Sequence, residues 1–262
     1  MRVMTFNVRR DVEADGEHAW PHRRDLVVDT IRFHAPDVVG LQEPLSHQVD
    51  YVRAELDLDW RGVGRLDGDD SGEHVPIGYD PDVLSLAEWG TFWLSETPET
   101  PGTGWDAAHP RIVTWARFEG GAGGPFLFCN THLDHEGERA RRRGAQLLRD
   151  RVADLADADP VIVVGDMNAT AGEDPLVILT ASGDPNLADA GSVAEHGHHG
   201  PNTTRTDFER LRHGRKIDHV LVSSEVSVHQ QGVCLDAEDG YPSDHLPLVA
   251  EVSVPDRGER SR

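Results

Sequence analysis

The chain has 262 residues, with 47 Asp and Glu against 25 Lys and Arg, for a formal charge of −22, and Lys216 is its single lysine. Two cysteines, Cys129 and Cys234, exclude a disulfide scaffold and a Cys-rich zinc site and point to a reducing compartment. No run approaches the roughly 18 apolar residues of a membrane span, the start MRVMTFNVRR lacks the apolar core of a signal peptide, and a generic DNA or membrane coat should be basic.

In chain order, residues 3–8 are predicted as a strand. Residues 23–34 are predicted as a helix whose face carries Leu26, Val27, Thr30, Ile31 and Phe33. Residues 37–41 (DVVGL) read as a buried strand. Residues 46–56 read as a helix with Ser46 as N-cap. Strands are expected at 77–79, at 89–93 (led into by Leu84 to Leu86), at 112–118 and at 126–131. Residues 119–125 (EGGAGGP) then form a hairpin loop. Residues 138–155 make the longest predicted helix. Ala140, Leu147, Leu148, Val152 and Leu155 form its apolar stripe, and Arg139, Arg141, Arg142 and Arg143 lie on its solvated face. VIVV at 161–164 reads as a core strand, followed by strands at 217–222, 226–233 and 248–254. Strands outnumber helices and many are joined by short turns, which predicts mixed sheets with helices outside. Residues 1–254 are expected to form one domain, with 255–262 a disordered tail.

Polar residues gather just past the apolar strands. They are Gln42 and Glu43 after DVVGL, THLDH (131–135) after FLFCN, GDMN (165–168) after VIVV, and Ser243, Asp244 and His245 before LPLVAEV. Asn7 and Asp218 stand in similar positions. Carboxylates, amides and imidazoles without thiolates favour Mg²⁺ or Mn²⁺ over structural zinc. Asp166 and Asn168, two apart, would share one face of an extended segment. His196, His198 and His199 sit among glycines and read as an exposed loop. The six tryptophans read as core or cleft wall.

Taken together, TFNVR, LQE, NTHLDH, GDMNA, IDHVLVS and SDHLPL, in this order, resemble the endonuclease/exonuclease/phosphatase superfamily, over residues 5–248. The segment FWLSETPETPGTGWDAAHPRIVTWARF resembles an uncharacterised bacterial and archaeal branch of it. The resemblance implies an α/β fold of the DNase I type, a four-layered α/β sandwich with two packed mixed β-sheets flanked by helices. It implies Glu43 as metal ligand, assisted by Asn7, with Asp166 positioning water or metal and Asp244 as a second ligand. It further implies that Asn168 orients the phosphate, that His132 donates to it, and that Asp218 holds His245 as base or phosphate stabiliser. Arg111 and Thr203 would contact substrate.

The expected function is a metal-dependent phosphoesterase that hydrolyses a phosphodiester, of a nucleic acid or nucleotide, by in-line attack of water. A phosphatase or phospholipase-type hydrolase on a sugar phosphate or lipid head group is the alternative, and a non-catalytic binding protein ranks last. The loops at 67–74 and 97–109 are acidic or neutral, which weakens a tight duplex-DNA reading. A cytoplasmic location is expected, with no membrane anchor and no obligate protein partner. The acidic surplus reads as adaptation to a salty cytoplasm.

Overall fold

The computed structural model describes residues 1–119, 123–235 and 240–256. Part of the expected hairpin loop at 119–125 and most of the expected tail at 255–262 lie outside the described residues.

Twelve strands form two six-stranded sheets. The first holds β1 (Arg2–Asn7), β2 (Val38–Gln42), β3 (Asp59–Arg61), β4 (Ile77–Tyr79), β11 (Ser227–Val233) and β12 (Leu248–Ser253), in the order β11-β12-β1-β2-β4-β3. The second holds β5 (Ser85–Trp93), β6 (Ile112–Glu119), β7 (Phe126–His132), β8 (Val161–Asp166), β9 (Leu187–Asp189) and β10 (Asp218–Ser223), in the order β5-β6-β7-β8-β10-β9. Only the central pairs β1–β2 and β7–β8 are parallel; every other pairing is antiparallel.

Alternation explains how apolar runs build this sandwich. In β8, Ile162 and Val164 face the core between the sheets while Val161 and Val163 face the outer core. Both faces are covered, so the run is continuously apolar, as buried parallel strands require. β1 behaves alike, with Val3 in the inter-sheet core and Met4 and Phe6 on the outer side. There they meet α1 (Trp20–His34) and α2 (Ser46–Glu55), while α3 (Glu138–Ala156) and α4 (Asp174–Leu179) cover the other sheet. The layers are helix, sheet, sheet, helix, the DNase I-like sandwich that the motifs implied.

The boundaries carry several corrections. α1 begins three residues early, at Trp20, with Pro21 in its first turn. Leu45, not Ser46, is the N-cap of α2, and Gln48 Oε1 accepts from its N–H at 3.1 Å. On α3, small residues Gly144 and Ala145 are buried where Leu147 and Leu155 were expected, so the buried stripe is rotated. β3, β9, α4 and the one-turn α5 (Ala190–Val193) are too short to leave a period in the sequence.

Toward one end the inter-sheet core turns polar. Gln42 Nε2 donates to Asn130 Oδ1 at 2.7 Å, and Asn130 Nδ2 donates to the carbonyls of Leu41 and Pro76 at 2.8 and 2.9 Å. Gly40 makes room for this bridge: a Cβ there would sit 2.6 Å from Asn130 Cγ. No helix among the described residues is long and apolar enough to cross a membrane.

Candidate active site

Just past this polar layer, strand ends from both sheets meet. β1 delivers Asn7, β7 delivers His132 and β8 delivers Asp166, with Glu43 one residue past β2. β10 runs antiparallel to β8 and so begins here, at Asp218. The segment before β12 brings Asp244 and His245. In the ladder Asp166 lies between His132 and Asp218.

Asp166 is the hub. Its Oδ1 accepts from the Asn168 N–H at 2.9 Å, which closes a turn and leaves Oδ2 to the cleft. Around Oδ2 stand Asn7 Nδ2 at 3.0 Å, His132 Nε2 at 3.4 Å and His245 Nε2 at 3.6 Å. The same Asn7 nitrogen donates to Glu43 Oε1 at 2.9 Å, and the Arg9 N–H donates to Asn7 Oδ1 at 3.0 Å, which fixes the amide's orientation. His245 Nδ1 donates to Asp218 Oδ2 at 2.8 Å, the acid–imidazole pair expected of IDHVLVS and SDH.

Burial, with Asp218 nearby, pushes Asp166 up to about 7. Burial alone would lower His245, but the Asp218 and Asp166 carboxylates beside it raise it to about 9. His132 is held well below its ordinary value, first by burial and then by Arg111.

Other expected residues are placed differently. Asn168 adopts φ 45°, so the strand has ended and a left-handed turn, not extended alternation, brings it to the cleft. Its Nδ2 donates to Leu133 O at 3.0 Å and lies 3.1 Å from His132 Nε2. A carbonyl can only accept, so the amide orientation is fixed. Asp244 Oδ2 is engaged by Arg205 Nη1 at 3.0 Å. Arg111 lines the cleft, with Nε donating to Asp134 Oδ1 at 3.2 Å and Nη2 to His135 Nδ1 at 2.9 Å. Thr203 is fully buried and its hydroxyl donates to Arg212 O, so it braces a loop. None of the six tryptophans lines the cleft. His196, His198 and His199 are exposed, as expected, and belong to no metal-binding cluster among the described residues.

The cleft has a volume of about 230 Å³. Arg9, Arg10, Arg111, Arg205 and Arg215 line it, against Glu43, Glu73, Asp166 and Asp244. The two suspected loops touch it only at their ends, through Glu73 and His109. Three of its supports carry no motif in the sequence. Glu73 is buried against Arg65, with 2.6 Å between Oε2 and Nη1. Arg205 lies two residues beyond the threonine singled out. Arg23, buried outside the cleft, donates to the carbonyls of Val8, Arg9, His18 and Pro242 and so ties the end of β1 to the segment before Ser243.

Glu43, Asp166 and His245 offer ligand atoms within 4.8 Å of one another. Two of the three are hard oxygen donors, and Asn7 holds the carboxylates of Glu43 and Asp166 side by side. Both features fit a divalent cation. Of the four ligands expected, Glu43 and Asp166 fall in this group. Asn7 turns its amide nitrogen toward it, and Asp244 is not in it.

Residues 4–245 match the model of the Endonuclease/Exonuclease/phosphatase family. The chain belongs to this family. A solved member from Bacteroides vulgatus is similar at 36% identity with a TM-score of 0.92, over 97% of this chain and 98% of that one. A mannosyl-6-phosphatase from Bacteroides thetaiotaomicron is similar at 33% identity with a TM-score of 0.91, over 97% and 99%. The human Nocturnin catalytic domain, at 22% identity and a TM-score of 0.76 over 97% and 94%, shares the fold. The bacterial relatives fit the bacterial branch suggested by the sequence. Enzymes of the family hydrolyse phosphoester bonds.

Proposed function

We propose that this family member is a Mg²⁺- or Mn²⁺-dependent phosphatase that removes a terminal phosphate from a small hydroxyl-rich molecule, a sugar phosphate being the model substrate. The observation that carries this reading is charge placement. In a chain of net charge −22, five arginines face four carboxylates in a cleft of about 230 Å³. A bound divalent cation raises that local balance further, which suits a compact dianion.

Glu43 and Asp166 would hold the cation, which when bound supplies charge neutralisation for phosphate oxygens. Asp166 would take a proton from the attacking water. Asn168 and Arg111 would orient the phosphate. His245, fixed by Asp218, would stabilise charge as the ester oxygen leaves. The similarity to a mannosyl-6-phosphatase supports a sugar phosphate.

A phosphodiester is the second reading, and one observation favours it. A groove of about 940 Å³ shares Asn168 with the cleft and carries Arg139, Arg141, Arg142 and Arg143. Those arginines are matched by Asp106, Glu138, Glu173 and Asp174 in the same groove. The groove is therefore neutral overall and holds a weak attraction for a polyanion.

A substrate panel with Mg²⁺ or Mn²⁺ tests both readings. It comprises a hexose 6-phosphate, a nucleoside monophosphate, a chromogenic diester, single-stranded DNA, RNA and a phospholipid, with Asp166→Ala and His245→Ala as controls. The expected result is a kcat/KM at least ~10-fold higher for the hexose phosphate than for any diester, or ~1.4 kcal/mol in the barrier. The reverse order transfers the assignment to a phosphodiesterase. No metal-dependent turnover on any of them returns the chain to the binding-protein reading.

A further inference from the structure

We propose that Arg205 is the mobile phosphate-binding arginine of this site, resting on Asp244 and His245 in the free protein and moving one guanidinium edge onto the substrate's non-bridging oxygens. The proposal rests on the phosphoester reading above.

Arg205's backbone is pinned on both sides. Its N–H donates to Thr203 Oγ1 at 3.3 Å, and its carbonyl accepts from the Arg212 N–H at 2.8 Å. The flanking residues pair with the segment that carries the reactive pair: Thr206 N–H donates to Asp244 O and Leu246 N–H to Thr204 O, both at 2.8 Å. Arg205 itself bridges His245. Any motion at this position therefore belongs to the side chain. The buried threonines Thr203 and Thr204 make the mount rigid, which is why a substrate contact belongs here and not to Thr203.

The guanidinium is only partly committed. Nη1 meets Asp244 Oδ2 at 3.0 Å and lies against His245 Nε2. Nε and Nη2 make no hydrogen bond to the protein among the described residues, and the side chain is 31% exposed in the cleft. Arg10 and Arg215 also keep N–H groups uncommitted at the cleft, but neither rests on Asp244 or His245 among the described residues, and Arg111 and Arg9 differ. Arg111 spends Nε and Nη2 on Asp134 and His135, and Arg9 spends the same pair on Asp15. Arg205 thus holds an unspent N–H fork, the shape that binds phosphate oxygens in a bidentate fashion.

Its resting place also matters. His245 Nε2 stands 3.6 Å from Asp166 Oδ2, so Arg205 covers the imidazole face that looks onto the reacting centre. A phosphate entering there competes with Asp244 for the guanidinium and uncovers His245 in the same movement. The Asp244 side chain is largely buried, but Arg205 keeps 31% of its side chain exposed, so an entering phosphate reaches the guanidinium from its open side.

The test compares Arg205→Gln and Arg205→Lys with the wild type, by steady-state kinetics on the substrate found in the panel and by inhibition with inorganic phosphate. Arg205→Gln is expected to raise KM and the phosphate inhibition constant together, each at least ~10-fold, with kcat changed less than threefold. Arg205→Lys should recover a part of the loss, since it keeps the charge and loses the fork. Thermal melting of both variants within a few degrees of the wild type excludes a merely structural effect. If KM and the inhibition constant stay within twofold, or if kcat alone falls, the proposal is overturned. Absence of turnover by the wild type would instead overturn the phosphoester reading, while phosphate binding measured by calorimetry still judges Arg205.

Discussion

Asn7 donates through one amide nitrogen to both Glu43 Oε1 and Asp166 Oδ2, at 2.9 and 3.0 Å. This single group keeps two carboxylates from opposite sheets within reach of one cation. Asn7→Ala removes the donor, and Asn7→Asp adds a third acid to the same spot. Both should lower kcat/KM by about 10²-fold or more, equivalent to ~2.7 kcal/mol, with Asn7→Asp the worse because like charges crowd. Wild-type activity in Asn7→Asp would show that the amide does not organise the site.

Gly165 precedes Asp166 with φ 149°, and a Cβ there would lie 2.0 Å from Thr131 O. Backbone cannot yield as a flexible side chain does. Gly165→Ala should cost ~3 kcal/mol or more, read from the urea midpoint, and should displace Asp166 enough to abolish turnover. A midpoint unchanged from the wild type would mean that β7 and β8 part more easily than their close contact implies.

Asp189 joins His219 Nδ1 at 2.7 Å and Lys216 Nζ at 3.0 Å, while His219 Nε2 donates to Ala169 O at 3.0 Å, next to Asn168. Burial would raise the Asp189 carboxyl, yet the hydrogen bond from His219 and the charge of Lys216 hold it below the usual carboxylate range. A lowered folded-state pKa gives stability that is present above the unfolded value of ~3.9 and is lost as pH falls through the folded one. The stability gap between wild type and Asp189→Asn, from urea unfolding, should therefore be full above about pH 5 and shrink steadily below pH ~4. A gap that widens on acidification would reverse the sign of this coupling.

The net charge of −22 leads to a salt prediction. Unfolding free energy should rise by ~1 kcal/mol or more between 0.1 and 2 M KCl, as screening relieves self-repulsion. Equal stability at both concentrations would remove the case for a salty cytoplasm.

Much of this site could be read from the chain because its residues sit at strand ends, and strand ends are where apolar runs stop. VIVV, FLFCN and DVVGL each mark their own boundary, and the polar residues that follow are exposed to view. Asp166, His132, Glu43 and the Asp218–His245 pair were accessible in that way. Arg205, Glu73 and Arg23 were not, because each owes its place to a loop or to a burial that no period announces. Arg23 donates only to carbonyls, which every sequence contains, and so leaves no partner residue to find. The bracing bond of Thr203 to Arg212 O was hidden for the same reason: a buried hydroxyl bracing a loop and one facing a cleft look alike in sequence. The proposed preference for a monoester over a diester rests on the balance of charge between cleft and groove, which exists only once distant segments are side by side.

The Asn7–Asp166 contact joins residues 159 apart in sequence and belongs to neither sheet alone. A folding intermediate with one sheet formed, or with both formed but undocked, therefore lacks the cation site altogether. Refolding followed by circular dichroism and by return of activity should separate in time, with activity last, because the site needs both sheets formed and docked. Turnover in this protein is in effect a gauge of whether its two halves have met.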